Sequence, residues 1–364
     1  MKSTVQEERL LFPVLSQSVP QAPDPLALNV QLGLMVASAV NVAVKLGLAD
    51  LLETPKTVDV LAHETQTHAL SLYHLLRALE GINIFREIDA EQHLFENTDR
   101  SRLLKKDAMA DLVTLWGAGY QWNSWRDLLY TIQTGKPALA KQYGTGATIW
   151  TYLSTHPQDS QAFQRGLTIN ARLIIPSLLA TYDFSGVRSL VDLGGGHGEL
   201  VVSLLHRYPH LTAILFDRAS IIAEAQEEMQ HLPEDIRARF LLESGSFFEA
   251  VPPGADCYVV KNVLMDWSDA EYLQILRGCR QALDGNAGHL LVIEPVISES
   301  ASFTKFFSLQ MSMMMNAAHH RSVEEHRVLF EQAGFHLTQA IPLGLEQVLL
   351  EGTPFARASK EVAP

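Results

Sequence analysis

Three stretches hold residues whose type and spacing can do chemistry. In the first, SLVDLGGGHGEL (Ser189–Leu200), an apolar run ends in three successive glycines and continues into a helical segment. Gly194 and Gly196 allow a tight turn and let a ligand lie against the backbone, beside the polarising start of a helix. A dinucleotide fingerprint would need a further glycine at position 199; Glu199 stands there, and its carboxylate opposes a pyrophosphate. In the second stretch, LTAILFDRASI, Asp217 ends the next apolar run, 23 residues after Gly194. A carboxylate there can accept hydrogen bonds from both hydroxyls of a ribose. Alone, Asp217 reads equally well as a helix cap; with the glycine turn it reads as part of a nucleoside site. The third stretch is LMDWSD (264–269), just after the apolar run Tyr258–Val260. The handover from strand to loop is a usual place for catalytic side chains in α/β enzymes. Met265 has no proton to give or take.

These stretches need a scaffold of alternating strands and helices. Strands are predicted at Ser189–Leu193, Leu211–Phe216, Arg239–Leu242, Ala255–Lys261 and His289–Glu294, with a terminal pair in LTQAIPLGLEQVLLE. Helices of ordinary length fall between them, which predicts an α/β fold with a doubly wound, mostly parallel, Rossmann-like sheet over 183–364. Upstream, Leu26–Leu52 has apolar residues at helical spacing. The next segment reads as short helix, turn, longer helix and an acidic hairpin, FREIDAEQHLFENT, a winged-helix succession. Residues 107–182 read as helices rich in aromatics. The expected division is therefore a flexible arm over 1–25, a helical and winged-helix dimerisation and substrate-capping domain over 26–182, and a catalytic domain over 183–364. Trp116, Trp122, Phe163 and Leu167, with Met311 and Met315 of LQMSMMMN, are candidate walls of a pocket for a flat or apolar substrate.

A formal charge of −13 argues against a broad nucleic-acid surface and against acidic membranes. The longer helix of the winged-helix segment offers only Arg77, beside Glu80, where phosphate binding needs clustered cations. No apolar stretch reaches transmembrane length, the first ten residues are too charged for a signal peptide, and a cytoplasmic protein is expected. Cys257 and Cys279 fall in a strand and a helix, outside any metal-type spacing, and read as buried reduced thiols.

The segments LVDLGGGHG, LFD, GSFFEAVPPGADCYVVKNVLMDWSD, ILRGCRQAL, LLVIEPVI and EEHRVLFEQAGF resemble the class I S-adenosylmethionine-dependent O-methyltransferases of the plant caffeate and hydroxyindole type. The N-terminal half is similar to that family's winged-helix dimerisation domain. The resemblance implies a homodimer, S-adenosylmethionine as cofactor and a small aromatic or polyketide-like acceptor. It places Gly194 at the methionine moiety, Asp217 at the ribose, Ser246 and Phe247 at the adenine, and Lys261 at the edge of the cofactor site. Ser246 stands where the family has Asp, a weaker neutral acceptor.

The family's Leu-His-Asp-Trp supplies a histidine base; here Met265 replaces it, while Asp266 and Trp267 remain. Of the two acidic residues that flank that histidine in the family, one is kept as Glu294 in VIEP. The other falls in AAHHRS (317–322), where aligning Arg321 puts His320 in its place. A histidine beside a carboxylate is a competent base near neutral pH, so His320 is expected to take the lost role with Glu294 orienting it. Three readings stand: methyl transfer driven mainly by alignment of the reactants, a non-methylating reaction in which the sulfonium acts electrostatically, and a non-enzymatic binding protein.

Overall fold

The computed structural model describes residues 25–283, 288–316 and 318–356. The arm expected over 1–25 lies outside the described residues, apart from Pro25. The chain divides into two compact units between Gly117 and Ala118.

The first unit begins with α1 (Pro25–Lys45) and α2 (Leu48–Leu51), then β1 (Lys56–Thr57), α3 (Val58–Thr65), α4 (Ala69–Glu80) and the hairpin β2 (Phe85–Asp89)–β3 (Leu94–Asn97). Helices α5 (Asp99–Arg102) and α6 (Ala110–Trp116) complete it. The Thr57 side chain caps α3 by accepting from the Val60 N–H at 3.4 Å. Asp89 closes the hairpin turn, its carboxylate accepting from the N–H groups of Glu91 and Gln92 at 2.9 and 3.1 Å. The antiparallel order β1-β3-β2 with α3 and α4 between the strands is the winged-helix arrangement. Its core joins Leu48, Leu61, Leu76, Phe85 and Phe95, while α1 leaves Leu26, Val30, Leu34 and Met35 exposed.

The second unit opens with α7 (Gly119–Arg126), α8 (Leu128–Thr134), α9 (Ala138–Tyr143), α10 (Ile149–Thr155) and the long α11 (Pro157–Thr181). There follow β4 (Ser189–Leu193), α12 (Glu199–Arg207), β5 (Thr212–Asp217), α13 (Ala219–Met229), α14 (Glu234–Arg237), β6 (Phe240–Ser244) and β7 (Cys257–Lys261). The chain ends with α15 (Asp269–Ala282), β8 (His289–Pro295), α16 (Ser302–Met314), α17 (Val323–Gln332), β9 (Phe335–Gly344) and β10 (Gln347–Pro354). The sequence reading grouped residues up to 182 with the N-terminal domain, whereas the compact-unit boundary falls at 117/118. Packing explains the difference: Ala171, Ile174, Ile175 and Leu178 of α11 share a core with Leu190, Leu204 and Leu349 of the sheet unit.

The sheet order is β6-β5-β4-β7-β8-β10-β9, parallel from β6 to β8, with β10 antiparallel to both neighbours. Successive residues of β4 face opposite layers, Leu190 into one core and Val191 into the other. The chain runs β4, β5, β6 one way from β4 and then β7, β8 the other. The crevice at the carboxyl end of β4 is therefore the topological switch point, where such sheets bind ligands. Among the described residues no helix is long and apolar enough to cross a membrane, and Cys257 and Cys279 are buried and unpaired.

Candidate active site

The glycine turn leaves β4 at the switch point. Gly194 has φ 70° and Gly196 φ 62°, a left-handed conformation that side chains disfavour. A Cβ on Gly194 would also lie 2.8 Å from Val263 Cγ2. The Gly194 N–H donates to the Phe216 carbonyl at 2.8 Å, pinning the turn to β5. Asp217 completes this lock, its Oδ2 accepting from the Gly196 N–H at 3.0 Å and its Oδ1 from the Arg218 N–H at 2.7 Å. Burial pushes the Asp217 carboxyl upward, while the two N–H donors pull it back. Behind the turn Asp192 is fully buried and neither carboxyl oxygen has a hydrogen-bond partner. Burial pushes it up to about 7 against the attraction of Lys261.

This turn forms one wall of a cavity of about 310 Å³. Gly194, Gly196, Asp217, Ser246, Phe247 and Lys261 all line it, as do Leu167 of α11 and Asp266. Sequence reasoning missed further walls: Trp150 of α10, Gln164 of α11, Arg218, Phe248, Asn262 and Trp267. Arg218 and Asn262 directly follow residues already singled out, a signal that was available. Trp150 is one of the aromatics of 107–182 from which pocket walls were expected, whereas Gln164 comes from a helix tens of residues upstream and nothing local marks it. The Arg218 guanidinium lies 5.1 Å from the Trp150 ring centroid, a cation–π stack. Asn262 has φ 54° and turns the chain out of β7 immediately after Lys261.

The residues fit a sulfonium nucleoside. Asp217 offers a fixed acceptor for ribose hydroxyls, and Phe247 and Phe248 offer flat apolar faces for a base. Ser246 Oγ accepts from the Phe248 N–H at 3.3 Å. Trp150 Nε1, Asn262 Oδ1 and Trp267 Nε1 belong to lining residues, are buried and have no partner among the described residues. Buried polar atoms without partners are costly, and a polar ligand relieves that cost. Burial pulls Lys261 down from its ordinary value, against the attraction of the buried Asp192. Among the described residues no group of three or more His, Cys, Asp or Glu is placed to hold a metal ion.

LMDWSD forms a 3₁₀ turn over Leu264–Asp266, capped onto α15 by Ser268 and Glu271. Glu294 Oε1 accepts from the Met265 N–H at 2.9 Å. Burial pushes Glu294 up to about 7, against the N–H groups of Met265, Leu264 and Val263 and the charge of Arg321. Arg321 holds the same turn from the other side. Its guanidinium donates to the carbonyls of Leu264 at 3.2 Å and Trp267 at 2.9 Å, and to Asp269 Oδ1 at 2.7 Å.

Met265 is buried and does not line the cavity. His320 is also buried and outside the lining, with its ring centroid 4.8 Å from that of Phe307. Among the described residues neither His320 nitrogen has a hydrogen-bond partner, and burial pushes its pKa down to about 4. The expected orienting bond from Glu294 to His320 is not formed among the described residues; Glu294 Oε1 accepts from the Met265 N–H instead.

The candidate substrate walls separate into two sets. Trp116 ends α6 and belongs to the first unit. Trp122 is half-buried on α7. Phe163 packs edge-on against Trp150 at 5.8 Å. Met311 and Met315 lie in an apolar cluster with Tyr120, Tyr152 and Met314, against which Trp150 and Phe163 pack.

An O-methyltransferase domain model matches residues 125–336, and an O-methyltransferase dimerisation domain model matches residues 28–107. The phenazine O-methyltransferase of Lysobacter antibioticus is 31% identical over 88% of this chain and 94% of its own length. The mitomycin biosynthesis 6-O-methyltransferase of Streptomyces lavendulae is 32% identical over 86% of this chain and 89% of its own. Among solved structures, an O-methyltransferase from neocarzinostatin biosynthesis, in complex with S-adenosylmethionine and 2-hydroxy-5-methyl naphthoic acid, superposes with a TM-score of 0.73. It is 29% identical and covers 88% of this chain and 96% of that one. These relatives are named for methyl transfer, and a non-methylating reaction finds no support among them. The chain belongs to the S-adenosylmethionine-dependent O-methyltransferase family.

Proposed function

We propose that this enzyme methylates a hydroxyl oxygen of a small, flat aromatic secondary metabolite. The observation that carries the reading is Trp150. Its ring lines the cofactor cavity and also packs against Phe163 in the aromatic and methionine cluster of Tyr120, Tyr152, Met311 and Met315. Flexible thioethers and flat rings suit an irregular apolar ligand, and the unpaired Trp150 Nε1 gives it one polar anchor. S-adenosylmethionine, when bound, supplies an electrophilic methyl on a positively charged sulfur. In this reading Gly194 and Asp217 fix that group, and Phe247 with Ser246 brackets its base. Glu294 and Arg321 keep the Leu264–Asp266 turn rigid beside it, so alignment supplies much of the rate. Relatives named for phenazine and mitomycin substrates support an aromatic acceptor.

The same reading makes the working form a cytoplasmic homodimer, with the exposed apolar face of α1 covered by a second copy. Direct DNA readout is not part of it: Arg77 on α4 is engaged over the Tyr73 ring at 5.7 Å. Mass spectrometry of purified protein with S-adenosylmethionine and a panel of naphthols, hydroxybenzoates and hydroxyphenazines tests the proposal. A product heavier by one methyl group, matched by demethylated cofactor, is expected. Cofactor binding with no methylated product from any hydroxyl acceptor overturns it.

A further inference from the structure

The histidine base of the family is absent at Met265, and His320 neither lines the cavity nor pairs with an acid. A different group in the same turn has the required placement. Asp266 lines the cavity and is only 6% exposed. No hydrogen bond from any described residue reaches its carboxyl oxygens, whereas Glu294 Oε1 accepts the Met265 N–H. Its backbone is fixed from two sides, by Arg321 through the Leu264 and Trp267 carbonyls and by Glu294 through the Met265 N–H. The other titratable residues of the lining are engaged. Glu199 is bound by Arg172 at 2.8 Å, His197 by Glu224 at 3.0 Å and Glu228 at 3.2 Å, and Asp217 by two backbone N–H groups. Lys261 is electrostatically coupled to the buried Asp192.

We propose that Asp266 is the proton acceptor for the reacting hydroxyl. The proposal rests on the methyl-transfer reading above. The acceptor O–H bond breaks with its proton passing to an Asp266 oxygen. The freed oxygen pair forms the bond to the methyl carbon, and the C–S bonding pair leaves with sulfur, which becomes neutral. No further reactant is needed. Burial and the neighbouring Glu294 hold the Asp266 carboxyl well above the usual carboxylate range, which makes it a stronger base than a surface aspartate. A positive sulfur in the cavity favours its ionised form, so the base is produced by the charge that the reaction then consumes.

Two measurements test this. Calorimetry at neutral pH, in buffers of different ionisation enthalpy, should show that S-adenosylmethionine binding releases a fraction of a proton. The uncharged S-adenosylhomocysteine should release less, and Asp266→Asn should abolish the difference while still binding both. Turnover of naphthols and nitrophenols of graded acidity should then fall in Asp266→Asn by about 10²-fold or more on the weakest acids. The loss should shrink toward acceptors that are already ionised, and the rising limb of the pH–rate profile should disappear. Proton release that persists in Asp266→Asn, or equal turnover of weak acids by variant and parent, overturns the assignment. If the parent methylates none of the acceptors yet shows Asp266-dependent proton release, the acceptor class proposed above fails and the titrating carboxyl stands.

Discussion

Glu294 Oε1 accepts the Met265 N–H at 2.9 Å, so the carboxylate at the end of β8 serves the backbone of the turn rather than a side chain within it. This bond uses only the backbone of residue 265, so it is indifferent to the side chain there. A glutamate buried for this purpose is a scaffold for Asp266. Glu294→Gln keeps one acceptor oxygen but turns an N–H₂ toward backbone donors. A loss of about 1–3 kcal/mol in unfolding free energy is expected, read by denaturant titration. An unchanged midpoint would show that the turn holds itself.

Asp192 offers a pH signature. Its carboxyl is pushed up to about 7 in the fold, from an ordinary value of 3.8. As pH rises from about 4 to 7 the unfolded chain loses this proton first, so the native state progressively loses the stability that the protonated form provided. Asp192→Asn cannot ionise. Its stability relative to the parent should therefore climb by about 4 kcal/mol across that window and stay level above it. Thermal unfolding of both proteins at closely spaced pH values measures the difference. A pH-independent offset would mean that Lys261 compensates the charge in full.

Asp217 is held by the Gly196 and Arg218 N–H groups and lines the cavity, so its remaining lone pairs face a ligand without needing to move. Asp217→Ala should weaken S-adenosylhomocysteine binding by about 1.5–3 kcal/mol, the range for hydrogen bonds to a charged group. Calorimetry on the folded variant reads this directly, and unchanged affinity would remove Asp217 from the ribose.

How much of this was legible in the sequence depends on whether the signal was local. The turn at Gly194–Gly196 and the carboxylate of Asp217 announce themselves because backbone conformation dictates glycine and strand ends dictate position. The strands of the seven-stranded sheet were readable from their apolar runs, whereas the two-residue β1, Lys56–Thr57, carries no such run. The boundary near 117 was not, because a change from helices to strands at Ser189 marks where the sheet begins, not where packing stops. Trp150 and Gln164 reach the cavity only through the course of α10 and α11. The pairing of His320 with Glu294 was not legible for another reason: residue identity shows that a carboxylate and an imidazole are present but not which groups the fold brings to each.

Leu34 is 64% and Met35 64% exposed on α1, with Val30 at 74% one turn earlier. Such an exposed apolar stripe calls for a cover, and a matched dimerisation domain over 28–107 identifies the region. Leu34→Asp with Val30→Asp places two unpaired charges in the proposed two-fold interface, each expensive to desolvate. Multi-angle light scattering at micromolar concentration should show a dimer for the parent and a monomer for the double variant. A parent that is already monomeric sinks the homodimer reading.

His320 supplies the contrast to Asp266. It is 2% exposed, tilted against the Phe307 ring, and held at about 4 from an ordinary 6.5 by burial and by the charges of His319 and Arg321. Both nitrogens lack partners. A neutral imidazole this hard to protonate is a poor proton acceptor near pH 7, and its place in the fold is that of a packed ring. His320→Leu removes two unpaired polar atoms at similar volume, so turnover should stay within a few-fold of the parent. Stability is where the substitution should register. Below pH 6.5 the unfolded chain protonates His320 before the native state can. The parent therefore loses about 3 kcal/mol from this group as pH falls toward 4, and His320→Leu should be spared that loss. Unfolding curves at pH 4.5 and 7.5, run beside turnover assays, check both expectations. A collapse of turnover with weakly acidic acceptors in His320→Leu, at unchanged cofactor affinity, would move the base from Asp266 back to this histidine.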